Sequence, residues 1–185
     1  VLLLRPAQQV RADAEAVLRA QRRRLRSHGV PGRLLLVGAS SVDGALTRGD
    51  VDLHLRVAPA VFPEVRDRLR DLLVVVHPGI WSPTLATFAV PAAALPRGSV
   101  LPTGLALTPE GSEHDLRFTR CWQLLRADAD LLAEHNAVKL ASTEDDYEQR
   151  KPDFFDHLLH LWPGHPAGGA GAPAPPPDRR GGATP

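Results

Sequence analysis

The spacing of apolar and polar positions divides the chain into stretches of two periods. From Ala7 to Arg26 apolar residues return at Val10, Ala14, Val17, Leu18 and Leu25, the spacing of one helical face. Gly29 and Pro31-Gly32 stop that helix. Leu34 to Val37 is a short continuous apolar run, read as a buried strand, and the small-residue turn Gly38-Ala39-Ser40-Ser41 follows it. Val51 to Val57 alternates apolar with polar side chains, the period of a strand. Pro59 to Leu72 returns to helical spacing through Val61, Val65, Leu69 and Leu72. Leu73–His77, Thr84–Val90 and Gly104–Thr108 are further strand candidates, and residues 2–5 form another that Pro6 ends.

The last third is helical in pattern. Ser112, with Asp115 three residues on, has the form of a capping box, and Leu116, Cys121, Leu124 and Leu125 supply the core face behind it. Asp128 caps a second helix, to about Ser142. Thr143 caps a third, which carries Tyr147, Phe154, Leu158 and Leu161; Pro152 falls inside it and is expected to kink or split it. The order is mixed α/β followed by α. It predicts an α/β (α+β) domain with a small mixed sheet, flanking helices and a helical C-terminal part over residues 1–162. Residues 163–185 are almost all Pro, Gly and Ala, cannot repay their ordering entropy, and are expected to be a disordered tail.

Composition adds exclusions. The chain has 185 residues, 22 basic against 21 acidic, and a net charge of +1. That balance argues against bulk electrostatic binding of nucleic acid and leaves room for a local basic patch. The run Arg22-Arg23-Arg24 is read as a solvated helix face or, alternatively, as a phosphate site. The single Cys121 cannot form an intrachain disulfide and reads as core. No apolar run reaches the roughly 18 residues of a membrane span, so no membrane partner is expected and the expected location is cytoplasmic.

The candidate chemistry lies between Val37 and Val57. A strand that ends in Gly38 and runs into Ser40 and Ser41 presents backbone N–H groups and hydroxyls to any anion placed there. Ten residues after Ser40, Asp50-Val51-Asp52 sets two carboxylates at i and i+2, which a strand points to one side. Two adjacent carboxylates are tolerated when a divalent cation lies between them. Together the turn and the acidic strand form the layout of metal-assisted phosphoryl or nucleotidyl transfer. The plainer alternative is a turn followed by solvent-facing residues of an edge strand. His54 has two readings, a metal or proton-transfer helper to Asp52 and a buried strand histidine. His157 and His160 lack a third ligand at metal spacing and read as surface residues.

The stretch Gly38-Ala39-Ser40-Ser41-Val42-Asp43-Gly44-Ala45, continuing through Arg48 to Asp52-Leu53, resembles the GrpB family signature. That signature runs Gly-Ser-Thr-Ser/Ala-Val-Pro-Gly-Leu, then a Lys, then an Asp in an apolar strand. Gly38, Ser41, Val42, Gly44 and Asp52 coincide with it, and Arg48 stands at the Lys position. Phe118 to Arg126, Asn136 to Leu140, and Tyr147 to Phe154 resemble the family's C-terminal helices. The resemblance implies a nucleotidyltransferase-like fold of the polymerase-beta superfamily type. It implies a nucleoside triphosphate bound with Mg²⁺ or Mn²⁺ and transfer to an acceptor that the residues do not name. Gly38, Ser40 and Ser41 would hold phosphate, Asp50 and Asp52 metal, and Arg48, Lys139 or Lys151 developing charge.

The departures from the signature are Ala39 for Ser, Asp43 for Pro, and Leu105-Ala106-Leu107 where the family has His-x-His. The later strands hold no third carboxylate, and Glu110, Glu113 and Asp115 lie just beyond them. These losses motivate the alternative of a catalytically degenerate nucleotide-binding or protein-interaction module on the same fold.

Overall fold

The structure, a computed structural model, describes residues 3–162, with side chains described outside 144–151. The C-terminal stretch expected to be disordered lies outside the described residues.

The elements follow the apolar pattern closely. β1 (Arg5–Pro6) and a 3₁₀ turn lead into α1 (Arg11–Ser27), then β2 (Arg33–Val37), a 3₁₀ turn at Ala39–Ser41, β3 (Leu46–Thr47) and β4 (Val51–Val57). α2 (Phe62–Leu72), β5 (Val74–Val75), β6 (Ala86–Ala89) and β7 (Thr103–Pro109) complete the mixed part. α3 (Glu113–Ala127), α4 (Ala129–Leu140) and α5 (Glu144–Leu161) close the chain. Pro152 lies within one assigned helix, α5, rather than between two.

Five strands form one sheet in the order β2-β4-β7-β6-β5, and β1 pairs with β3 in a separate ribbon. β4 is an interior strand, antiparallel to β2 and parallel to β7. Its alternation therefore does not mark an edge strand with a wet face; both of its faces are covered. Val51, Leu53, Leu55 and Val57 point into the larger core beneath α1 and α2, with Val17, Leu18, Phe62 and Leu69. Asp52, His54 and Arg56 point the other way, toward α3 and α5. There a smaller core gathers Val37, Trp122, Leu125, Phe154, Phe155 and Leu158. Burying one of these large apolar side chains is worth about 1.5–3 kcal/mol, so the two cores fix which face each β4 residue takes.

The caps expected at Ser112 and Asp128 are present, with one difference. Ser112 accepts from the Asp115 backbone N–H at 3.3 Å, and Asp128 accepts from Asp130 and Leu131. The Asp115 side chain does not complete a capping box. It accepts instead from the Gly111 backbone and from Arg56.

Candidate functional site

The turn after β2 is built by glycine. Gly38 has φ 72°, in the left-handed region, and a Cβ added there would lie 2.0 Å from Asp52 Oδ2. Only glycine lets the turn backbone approach that carboxylate. Asp52 pairs across β4 with Val37 on one side and Gly104 of β7 on the other. A Cβ at Gly104 would come within 4.0 Å of Asp52 Oδ1. The Asp52 carboxylate thus lies between two residues without side chains.

A cavity of about 480 Å³ opens at this point. Asp52, Gly38 and Gly104 line one wall. Phe118 and Trp122 of α3 and Phe155 of α5 line much of the rest, and His77 and Arg117 lie on its lining as well. Its surface is mainly aromatic and aliphatic with one carboxylate, the makeup of a small-molecule site. On β7 the residues facing Asp52 and His54 are Gly104 and Ala106, so the pleat positions that could carry further ligands carry space. Arg117 pairs with Asp156 and donates to the Pro152 carbonyl, which ties α3 to α5. His77 has φ 47°, a left-handed conformation unusual for a residue with a Cβ.

Several expected residues lie elsewhere. Asp50 precedes β4 rather than lying in it, so the i, i+2 alternation does not apply. Its carboxylate accepts from Thr47 Oγ1 at 3.3 Å, and it is not among the residues lining the cavity. Ser40 is buried and donates to the Asp50 carbonyl, with Thr47 Oγ1 3.1 Å away. Ser41 donates to the Gly38 carbonyl and accepts from Arg126 Nη2, both at 2.7 Å. These hydroxyls hold the turn in shape instead of pointing into the cavity. Thr47, fully buried and also accepting from the Gly49 N–H, organises the segment. Its role has no sequence signal beyond a small polar residue in a loop.

Lys139 is buried and donates to the Leu46 carbonyl at 2.8 Å, anchoring α4 to β3. Arg48 is exposed at the tip of the 47–50 turn. The Lys151 side chain lies outside the described residues.

One polar cluster on the same face lies farther along β4. Asp115 is fully buried and accepts from Arg56 Nε at 2.5 Å and Nη2 at 2.7 Å, and from the Gly111 N–H at 2.8 Å. Burial raises the Asp115 pKa, but the Arg56 and Gly111 hydrogen bonds outweigh it and hold the carboxyl below the usual range. His54 is fully buried, with Nε2 2.7 Å from Thr108 Oγ1 and its ring against Phe118. Desolvation lowers its pKa to about 4, overriding the nearby Asp115. His54 is therefore a neutral structural histidine, the second of its two readings. Asp115 pairs with Arg56, two pleats or about 13 Å along β4 from Asp52. It does not supply a third carboxylate beside Asp52. Cys121 is buried, its thiol pushed up to about 11 by burial, which suits a packing role.

Among the described residues no group of three or more His, Cys, Asp or Glu side chains is placed to hold a metal ion. A two-metal centre does not fit this donor set, because Asp52 is the one carboxylate on the described cavity lining. His157 and His160 belong to no metal-binding group, and His160 Nδ1 lies 2.7 Å from the Asp156 carbonyl. No described helix is long and apolar enough to cross a membrane.

No protein-family model matches the chain. No curated protein matches it in sequence. Among solved structures it is similar to the conserved protein GrpB from Enterococcus faecalis. That likeness has a TM-score of 0.61 at 11% identity over 86% of this chain and 98% of that one. It is also weakly similar, with a TM-score of 0.42 at 13% identity, to Cid1, described as having RNA terminal uridylyl transferase activity. That alignment spans 72% of this chain and 38% of Cid1. The GrpB-like α/β fold implied by the signature around Gly38 and Asp52 is the fold observed.

Proposed function

We propose that this domain binds a nucleotide without performing two-metal nucleotidyl transfer, which is the degenerate alternative read from the sequence. One observation carries the reading. Asp52 stands between Gly38 and Gly104 on the wall of an aromatic-lined cavity of about 480 Å³, with no second described carboxylate beside it. Planar bases stack well on aromatic faces, at about 1–3 kcal/mol per base. A carboxylate on the wall of such a cavity can accept from a hydrogen-bond donor, such as an exocyclic amine or a ribose hydroxyl. A nucleoside has both features. Its base would lie against Phe118, its donors suit Asp52, and Arg117 and His77 on the lining can face its phosphates.

The transferase reading is supported by the fold and by an Asp at the signature position. It requires Mg²⁺ or Mn²⁺, a nucleoside triphosphate and an acceptor. The described side chains offer that metal too few ligands, so no catalytic step is derived through it.

A thermal-shift series with ATP, GTP, CTP, UTP and the matching nucleosides, with and without Mg²⁺, separates these readings. Nucleotide at a hundredfold its dissociation constant adds about 2.7 kcal/mol of stability. The expected result is a shift that persists in EDTA, with no Asp52-dependent product from any acceptor. A metal-dependent shift accompanied by product formation would establish the transferase instead.

A further inference from the structure

Two hollows lie end to end on the opposite side of β2 from the Asp52 cavity, along the free edge of the sheet. One, of about 490 Å³, is lined by Arg22, Arg26 and Arg33 over an apolar floor of Leu25, Leu34 and Leu55. The other, of about 430 Å³, is lined by Arg11, Arg19, Arg22 and Arg126, with Leu18 and Leu36 beneath. Arg22 lines both, so the two hollows adjoin and are taken together as one groove. Positions 11, 19, 22 and 26 repeat at helical spacing, so α1 supplies one wall. Arg33 at the start of β2 and Arg126 near the end of α3 supply the other. From Arg11 to Arg26 the groove runs about 22 Å.

The charge in this groove is one-sided. Glu15 is the sole acidic residue on either lining, and it is 3.7 Å from Arg19. Arg22 is committed to the edge, donating through Nε and Nη2 to the Leu34 carbonyl. Arg11 pairs through Nη2 with Asp43, while its buried Nε has no hydrogen-bond partner. Arg126 donates to Ser41 and has no carboxylate partner among the described residues. Desolvation and the charge of Arg11 both lower the Arg126 pKa below the ordinary arginine value. Among the described residues Arg26 and Arg33 also lack a carboxylate partner. Such a groove on a chain of net charge +1 is a local separation of charge. Planar guanidinium forks are suited to phosphate oxygens.

We infer that this arginine-lined groove between α1 and the β2 edge binds the phosphodiester backbone of a single-stranded nucleic acid. The groove lies between α1 on one side and the β2 edge with the end of α3 on the other, and has no aromatic residue on either lining. It therefore follows a strand's backbone and does not stack its bases. The inference is independent of the nucleotide site, which faces α3 and α5.

Fluorescence anisotropy with labelled U12 RNA and dT12 DNA across 50–200 mM salt tests it. Four arginines on phosphates give a slope of log affinity against log salt of about −3, or roughly fiftyfold weaker binding over that range. R26A and R33A each weaken binding roughly tenfold and reduce the slope by about 0.7. R23A removes the same charge from the same helix outside either lining and leaves binding unchanged. Far-UV circular dichroism checks that each variant is folded. Binding of RNA, DNA or both with this arginine pattern supports the inference. It is overturned by absence of binding at 50 mM salt, by an equal loss in R23A, or by stronger competition from duplex DNA or polyglutamate than from the single strands.

Discussion

Replacing His54 with phenylalanine should remove a specific part of the protein's acid sensitivity. In the folded state the imidazole pKa is lowered from 6.5 to about 4, first by burial. The unfolded chain therefore binds more protons between those values, and stability falls as pH falls through that window. Above pH 6.5 the neutral ring costs nothing. At pH 5 the unfolded histidine is almost fully protonated while the folded one stays mostly neutral. The two-state expression then gives a loss of about 2 kcal/mol relative to pH 7, rising to about 3 kcal/mol near pH 4. For a domain of this size that corresponds to roughly 4–8 °C in Tm at pH 5.

Urea unfolding of wild type and His54→Phe at pH 7 and pH 5 isolates the effect. The variant loses the Thr108 hydrogen bond at every pH, so its absolute stability drops. Its pH dependence between 7 and 5 should be shallower by about 2 kcal/mol. Equal pH dependence in the two proteins would refute the reasoning and show that His54 titrates in the fold as it does in water. The neighbouring Asp115–Arg56 pair acts below this window, because the folded Asp115 pKa is depressed and its contribution is lost only as pH falls through that lower value.

Other substitutions test the site and its support. Gly38→Ala puts a Cβ 2.0 Å from Asp52 Oδ2 at φ 72°; it should cost at least about 1–2 kcal/mol in chemical denaturation and abolish nucleotide binding. Gly104→Ala meets its nearest atoms at 4.0 Å, so it should change stability by less than about 1 kcal/mol while weakening nucleotide affinity by placing a methyl in the space beside Asp52, as read by calorimetry. Asp115→Ala strands the Arg56 guanidinium and removes a fully buried acceptor, with an expected loss of about 3–5 kcal/mol in urea unfolding. Ser41→Ala removes its bonds to Gly38 and Arg126 at about 1 kcal/mol and should leave nucleotide affinity unchanged, whereas a large affinity loss would return its hydroxyl to the site.

Most of the elements were legible because their signals are local. The helical spacing of Val10 to Leu25, the alternation of Val51 to Val57, and the caps Ser112 and Asp128 each reappear within a few residues of expectation. Long-range commitments were not legible. Nothing near Ser40 or Ser41 in the sequence reveals that the Asp50 carbonyl and Arg126 engage their hydroxyls. The expected shared direction of Asp50 and Asp52 depended on β4 beginning one residue earlier, and the strand begins at Val51. Lys139 lies where the resemblance places a cation, yet the β3 carbonyl of Leu46 holds it. Burial of His54 follows from the helices that cover the second face of β4, which alternation alone does not report. The arginine run 22–24 divides in space: Arg22 reaches Leu34 and Arg24 reaches Leu72, each on a backbone carbonyl.

The most direct measurement is isothermal titration of ATP, GTP, CTP and UTP in EDTA into wild-type protein and Asp52→Asn. The expected result is metal-free binding of at least one nucleotide that weakens roughly tenfold or more when the carboxylate is neutralised. Absence of binding by all of them, or binding that leaves Asp52→Asn unaffected, would contradict the assignment of the Gly38–Asp52–Gly104 cavity as the nucleotide site.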